Sequence, residues 1–146
     1  MDEQTATKAG ATKRVLIVDD EPSVLSVLRD SFASFRHGHA YEVTTAESAA
    51  DAFTLLRREQ FDLILLDIIM PAIGGRWLSE KNLGLGLLTR FRDLGVSAPV
   101  LMMTGGAGDA AKEEARKMGV AGYLYKPIDL RELDDTVTRV LGSGAR

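Results

Sequence analysis

The stretch Arg14-Val-Leu-Ile-Val-Asp-Asp-Glu-Pro22 decides the fold, because an unbroken apolar run ends in two acids and passes at once into a proline suited to a first helical turn. Four further runs follow the same plan: Tyr41-Glu-Val-Thr-Thr45 before a helical stretch, Phe61-Asp-Leu-Ile-Leu-Leu66 before Asp67, Pro99-Val-Leu-Met-Met103 before Thr104, and Val120-Ala-Gly-Tyr-Leu-Tyr125 before Lys126-Pro127. Near-continuous Val, Ile and Leu over so few residues reads as a strand covered on both faces.

Helical patterns separate the runs. Val24, Leu25, Leu28, Phe32 and Phe35 recur at three- and four-residue spacing. Ala49, Ala50, Phe53 and Leu56 repeat the pattern, as do Leu87, Leu88, Phe91 and Leu94 up to Gly95. Ala110, Ala111, Ala115 and Met118 make a weaker fourth stripe ending at Gly119, and Leu130, Leu133, Val137, Val140 and Leu141 form the fifth. Alternating strands and helices with right-handed crossovers predict an α/β protein, a flavodoxin-like (βα)5 doubly wound fold with a five-stranded parallel sheet in the order 2-1-3-4-5. That order puts strands one and three side by side. Asp19 and Asp20 then meet Asp67, with Thr104 and Lys126 arriving on the same side.

The chain has 146 residues, enough for one domain, with a core expected over 14–142, a polar leader over 1–13 and a short tail over 143–146. Zero cysteines exclude disulfides and thiol chemistry and fit a reducing compartment. A net charge of -3 from 18 basic and 21 acidic residues, spread without blocks, argues against nucleic-acid contact by this chain alone. The first residues hold no apolar segment for secretion or membrane anchoring, so a cytoplasmic location is expected.

Three convergent carboxylates repel one another and call for a compensating cation. All-oxygen donors without Cys or a nearby His suit Mg²⁺, which commonly shares its shell with a phosphoryl oxygen. A lysine at the rim suits a phosphate. One carboxylate is then placed to act as a nucleophile and carry an acyl phosphate. Alone, Asp19-Asp20 before Pro22 reads equally as a helix cap.

Val15-Leu-Ile-Val-Asp-Asp-Glu-Pro22, Asp62-Leu-Ile-Leu-Leu-Asp-Ile-Ile-Met-Pro71, Met103-Thr-Gly105 and Gly122-Tyr-Leu-Tyr-Lys-Pro127, in that order, resemble the receiver domain of two-component response regulators. The resemblance implies that Asp67 accepts a phosphoryl group from a phosphohistidine on a sensor histidine kinase or histidine phosphotransferase. It implies Mg²⁺ held by Asp20 directly, by Asp19 largely through water, by Asp67 and by the Ile69 backbone carbonyl. Thr104 and Lys126 would contact the phosphoryl group, Tyr123 would swing as Thr104 moves, and the Lys126-Pro127 bond would be cis. The surface of the fourth helix, fifth strand and fifth helix would switch to bind a downstream protein or a second copy of the chain. The only catalysis implied is of the protein's own phosphorylation and dephosphorylation. Rival readings are a pseudo-receiver that binds protein without phosphate, the receiver piece of a longer regulator, and an aspartate-nucleophile phosphatase. The phosphatases carry an aspartate where this chain has Ile69.

The chain departs from the family pattern after Gly75. Arg76-Trp-Leu-Ser-Glu-Lys-Asn-Leu-Gly84 reads as an insertion containing the only tryptophan. It is either a harmless lengthening or a docking element carried by Arg76, Trp77, Leu78 and Leu83. Ile69 and Gly106 line the family's path for hydrolytic water and carry no polar side chain, which implies slow loss of phosphate. His37 and His39 around Gly38 read as solvated loop. Tyr125 is assigned to surface packing near the last helix.

Overall fold

The structure, a computed structural model, describes residues 12–67, 83–105 and 108–142, with side chains in the latter two segments from 87 and 112 onward. In chain order its elements are β1 Lys13–Val18, α1 Pro22–Ser34, β2 Tyr41–Ala46, α2 Ala49–Arg58, β3 Leu63–Asp67, α3 Leu83–Asp93, β4 Val100–Thr104, α4 Gly108–Lys117, β5 Gly122–Tyr125 and α5 Leu130–Leu141. All strands pair in parallel, in the order β2-β1-β3-β4-β5 that the sequence predicts.

Each central strand is apolar on both faces because each face has its own helical cover. Val15, Ile17, Leu63, Leu65, Leu101 and Met103 face α1 and α5, meeting Leu25, Leu28, Phe32, Leu133 and Val137. Leu16, Val18, Ile64, Leu66, Val100 and Met102 face the other way, toward Ala49, Ala52, Leu87, Leu88, Phe91 and Ala115. Burying one such Leu or Val contributes about 1.5–3 kcal/mol, and the effect is to seat the strand ends firmly.

Local signals set the element ends. Pro22 occupies the first turn of α1, where its missing N–H costs no bond. Ser48 caps α2 by accepting from the Asp51 N–H, and Asp129 caps α5 by accepting from the Arg131 and Glu132 N–H groups. Gly95 and Gly119 follow α3 and α4 with φ of 85° and 84°, a left-handed conformation that glycine adopts without strain.

Several expectations need correction. Lys13, placed in the leader, opens β1 opposite Tyr41. Leu83 and Gly84, placed in the insertion, begin α3; Arg76, Trp77 and Leu78 lie outside the described residues, as do Ile69, Gly106 and the tail. Ala50 is exposed and Ala52 takes its place in the core, while Ala49, Phe53 and Leu56 stay on the buried stripe. Leu94 is also exposed, because α3 ends before it. Tyr125 stands 47% exposed, and its ring meets Lys112 of α4, whose Nζ lies 4.6 Å from the ring centre.

The largest correction concerns His37, which is buried and not solvated. Its connection is folded back over the start of β2, where Phe35 stacks on the imidazole at 4.8 Å and Tyr41 meets it edge-on. Nδ1 is bonded to Tyr41 Oη at 2.5 Å, and Nε2 lies 2.6 Å from Asp134 Oδ1 and 3.1 Å from Thr138 Oγ1 of α5. Burial, and then the charge of Asp134, push the Tyr41 phenol from 10.0 up to about 12. A raised value means that the folded state holds this proton more tightly than the unfolded chain, so the contribution is fully present below about pH 10 and fades as pH climbs toward 12. We predict that the stability difference between the wild type and Tyr41→Phe, measured by urea unfolding, is constant up to about pH 10 and changes, at the wild type's expense, above it.

Candidate functional site

The carboxyl ends of β1, β3, β4 and β5 lie together at one rim of the sheet and deliver polar groups there, two of them from the end of β1. Asp19 follows the last residue of β1; its backbone N–H donates to Ala46 O at 3.1 Å and its Oδ1 accepts from the Glu21 N–H at 2.9 Å. Oδ1 thus closes a turn ahead of α1 and does not cap it: Glu21 is the N-cap residue and its side chain makes no capping bond, so the capping reading of Asp19 is not borne out. Asp67 is the last residue of β3, paired with Met103, and Thr104 is the last of β4. Asp19, Asp67 and Thr104 are all buried, whereas Asp20 is more open.

One carboxylate oxygen from each of Asp19, Asp20 and Asp67 lies within 4.8 Å of the others. Lys126 closes the group: its Nζ donates to Asp67 Oδ2 at 2.9 Å and stands 2.7 Å from Asp19 Oδ2. The second contact is a charge contact outside hydrogen-bonding angles, which leaves Asp19 Oδ2 buried with no hydrogen-bond partner. The lysine ammonium at that distance compensates the buried charge, while the oxygen's hydrogen-bonding capacity stays unused among the described residues. The donor set, all oxygen, is that of a hard divalent cation.

Burial presses the Lys126 ammonium toward neutrality, but the carboxylates of Asp19 and Asp67 outweigh it and hold the lysine above its ordinary range. Its position is set by the backbone. The Lys126 N–H donates to Thr104 O at 2.9 Å, and the Lys126-Pro127 bond is cis, as the resemblance implies. Gly105 contributes by absence: a Cβ there would stand 3.3 Å from Lys126 Cβ and press on the lysine stem. Glu21 was missed as a site residue, although it directly follows Asp20; its Oε1 is 3.4 Å from Lys126 Nζ.

Tyr123 sits opposite Met102, two residues before the Thr104 level of the ladder. It packs on the α2–α4 face, and its O–H donates to Lys112 O of α4 at 2.6 Å. Tyr123 thus ties β5 to α4.

The comparisons with known proteins agree with this geometry. The family model for the response regulator receiver domain matches residues 15–138. The protein PilH of Pseudomonas aeruginosa is 34% identical over 129 residues, covering 88% of this chain and 97% of PilH. The response regulator protein FleR of the same organism is 38% identical over 128 residues, but the chain spans only 24% of FleR. Among solved structures, the chemotaxis protein CheY4 of Vibrio cholerae superposes with a TM-score of 0.73 at 28% identity, covering 89% of this chain and 99% of that one.

Lys126 touches both buried acids, and removing it takes a compensating charge from between them. We predict that Lys126→Met lowers unfolding free energy by about 2–3 kcal/mol in metal-free buffer at neutral pH, read by chemical denaturation. An unchanged midpoint would mean that water, not Lys126, neutralises the pair.

With motif order, strand order and rim chemistry in agreement, the chain belongs to the response regulator receiver domain family.

Proposed function

We propose that the protein is a phosphorylation-dependent switch in which Asp67 accepts a phosphoryl group from a phosphohistidine on a sensor histidine kinase or histidine phosphotransferase. The observation that carries this reading is the pairing of Asp67 Oδ2 with Lys126 inside a cluster of acids at the open end of the sheet. An Asp67 oxygen attacks the phosphorus, a P–O bond forms, the P–N bond of the donor breaks, and the imidazole leaves with a proton. Lys126 follows the charge from the carboxylate to the phosphoryl oxygens, and the Thr104 hydroxyl turns to the same group.

Asp19, Asp20 and Asp67, with the carbonyl of Ile69, are assigned to Mg²⁺, and the closeness of the three carboxylates supports the assignment. The ion would neutralise the acids and the incoming phosphoryl group. We place the donor protein on an apolar groove of about 380 Å³ beside the pocket, lined by Val24, Val27 and Leu28 of α1 with Pro127 and Ile128. Phosphorylation would then alter the α4-β5-α5 surface through Tyr123, for a downstream protein or a second copy, in a single-domain regulator or phosphorelay shuttle. A cytoplasmic location and a domain over 14–142, extended by Lys13 at the start of β1, belong to the same reading. Among the described residues no helix is long and apolar enough to cross a membrane.

The test is phosphoryl uptake from acetyl phosphate, followed by intact mass. One phosphoryl group per chain, dependent on Mg²⁺ and lost in Asp67→Asn, is expected. No uptake by a folded wild type would favour a pseudo-receiver that binds protein without phosphate, and catalytic turnover of a generic phosphoester dependent on Asp67 would favour a phosphatase.

A further inference from the structure

α5 is held from two sides. At its start, the Asp129 cap comes three residues after Lys126, so the helix is linked by a short segment to the acidic pocket. In its middle, Asp134 and Thr138, one turn apart, both reach the buried His37 ring. A carboxylate can only accept, so Nε2 carries a hydrogen toward Asp134 Oδ1. On the other side of the ring stands Tyr41, the first residue of β2, whose oxygen also meets His39 Nε2 at 3.1 Å. Phe32 packs edge-on to Tyr41 at 5.0 Å and Phe35 covers the imidazole. The chain of contacts therefore runs from the edge strand through one buried ring into α5. Leu133, Thr136 and Val137 bury the rest of that helix face.

α4 is held otherwise. Among its described side chains, 112–117, only Ala115 is buried, and Lys112 ties the helix to β5 through the Tyr123 O–H on its carbonyl and through its ammonium over the Tyr125 ring, 47% exposed. A buried network with two contacts to one helix resists displacement more than ties of that kind at the surface.

We propose that the Asp134–His37–Tyr41 bridge is a built-in stay that fixes α5 to the β2 edge, so that phosphorylation displaces α4 and β5 against a stationary α5. The stay stands on its own; the displacement rests on the phosphoacceptor reading above. A partner recognising the switched surface would read the position of α4 relative to α5, with α5 as the reference wall.

Hydrogen–deuterium exchange on the full chain separates the two parts. Without any donor, Asp134→Ala strands the His37 N–H, and peptides spanning 130–141 should exchange about tenfold faster than in the wild type while those of α2 stay unchanged. His37→Gln provides a second variant with the same expectation. With Mg²⁺ and acetyl phosphate, wild-type protection should change across 108–125 and remain the same across 130–141, whereas in Asp134→Ala the change should spread into 130–141. Wild-type α5 exchange in both variants overturns the stay. A donor-induced change in wild-type α5 as large as that in α4 overturns the stationary wall. Absence of phosphate uptake overturns the phosphoacceptor reading and the displacement with it, and leaves the donor-free comparison to decide the stay.

Discussion

The fold is arranged around one electrostatic constraint: two buried carboxylates, Asp19 and Asp67, face each other across adjacent strands, and one lysine lies against both. Like charges at this range persist only when compensated, and Lys126 supplies one positive charge against Asp19, Asp67, Asp20 and the nearby Glu21. Among the described residues the balance remains negative. This acidic surplus, with a lysine already engaged, is the setting that the proposed divalent cation and phosphoryl group would meet.

Everything else positions those groups. The apolar strands bring four chain segments to one rim, and helices on both faces keep them there. Gly105 lets the Lys126 stem pass, and the Thr104 carbonyl fixes the lysine backbone. Tyr123 ties β5 to α4, and in the proposed switch it is the route from the rim to that helix, while His37 holds α5 from the other face of the sheet. In this account the output surface is asymmetric, with one wall built to move and one to stay.

How legible this was in the sequence follows from what each residue depends on. Strand order could be read because Val15–Val18, Leu63–Leu66 and Val100–Met103 are apolar without interruption, a pattern that only two-sided cover explains. The meeting of Asp19, Asp67 and Lys126 was legible because strand ends in such a sheet share one rim. His37 was not. Its burial depends on Asp134, 97 positions later, and no local pattern in His37-Gly-His39 announces that partner. Ala50 failed for a smaller reason: among Ala49, Ala50 and Ala52 residue type offers no contrast to show which of the three turns outward. Glu21 was within reach, since its place next to Asp20 already set it at the pocket mouth.

The most direct measurement of the central claim is calorimetric titration of Mg²⁺ into the wild type, Asp19→Asn and Lys126→Met. If Lys126 is the resident compensator of an acidic surplus, one Mg²⁺ binds per chain, binding weakens at least tenfold when Asp19 is neutralised, and it tightens when the competing lysine is removed. Binding of equal strength in all three proteins would contradict the account.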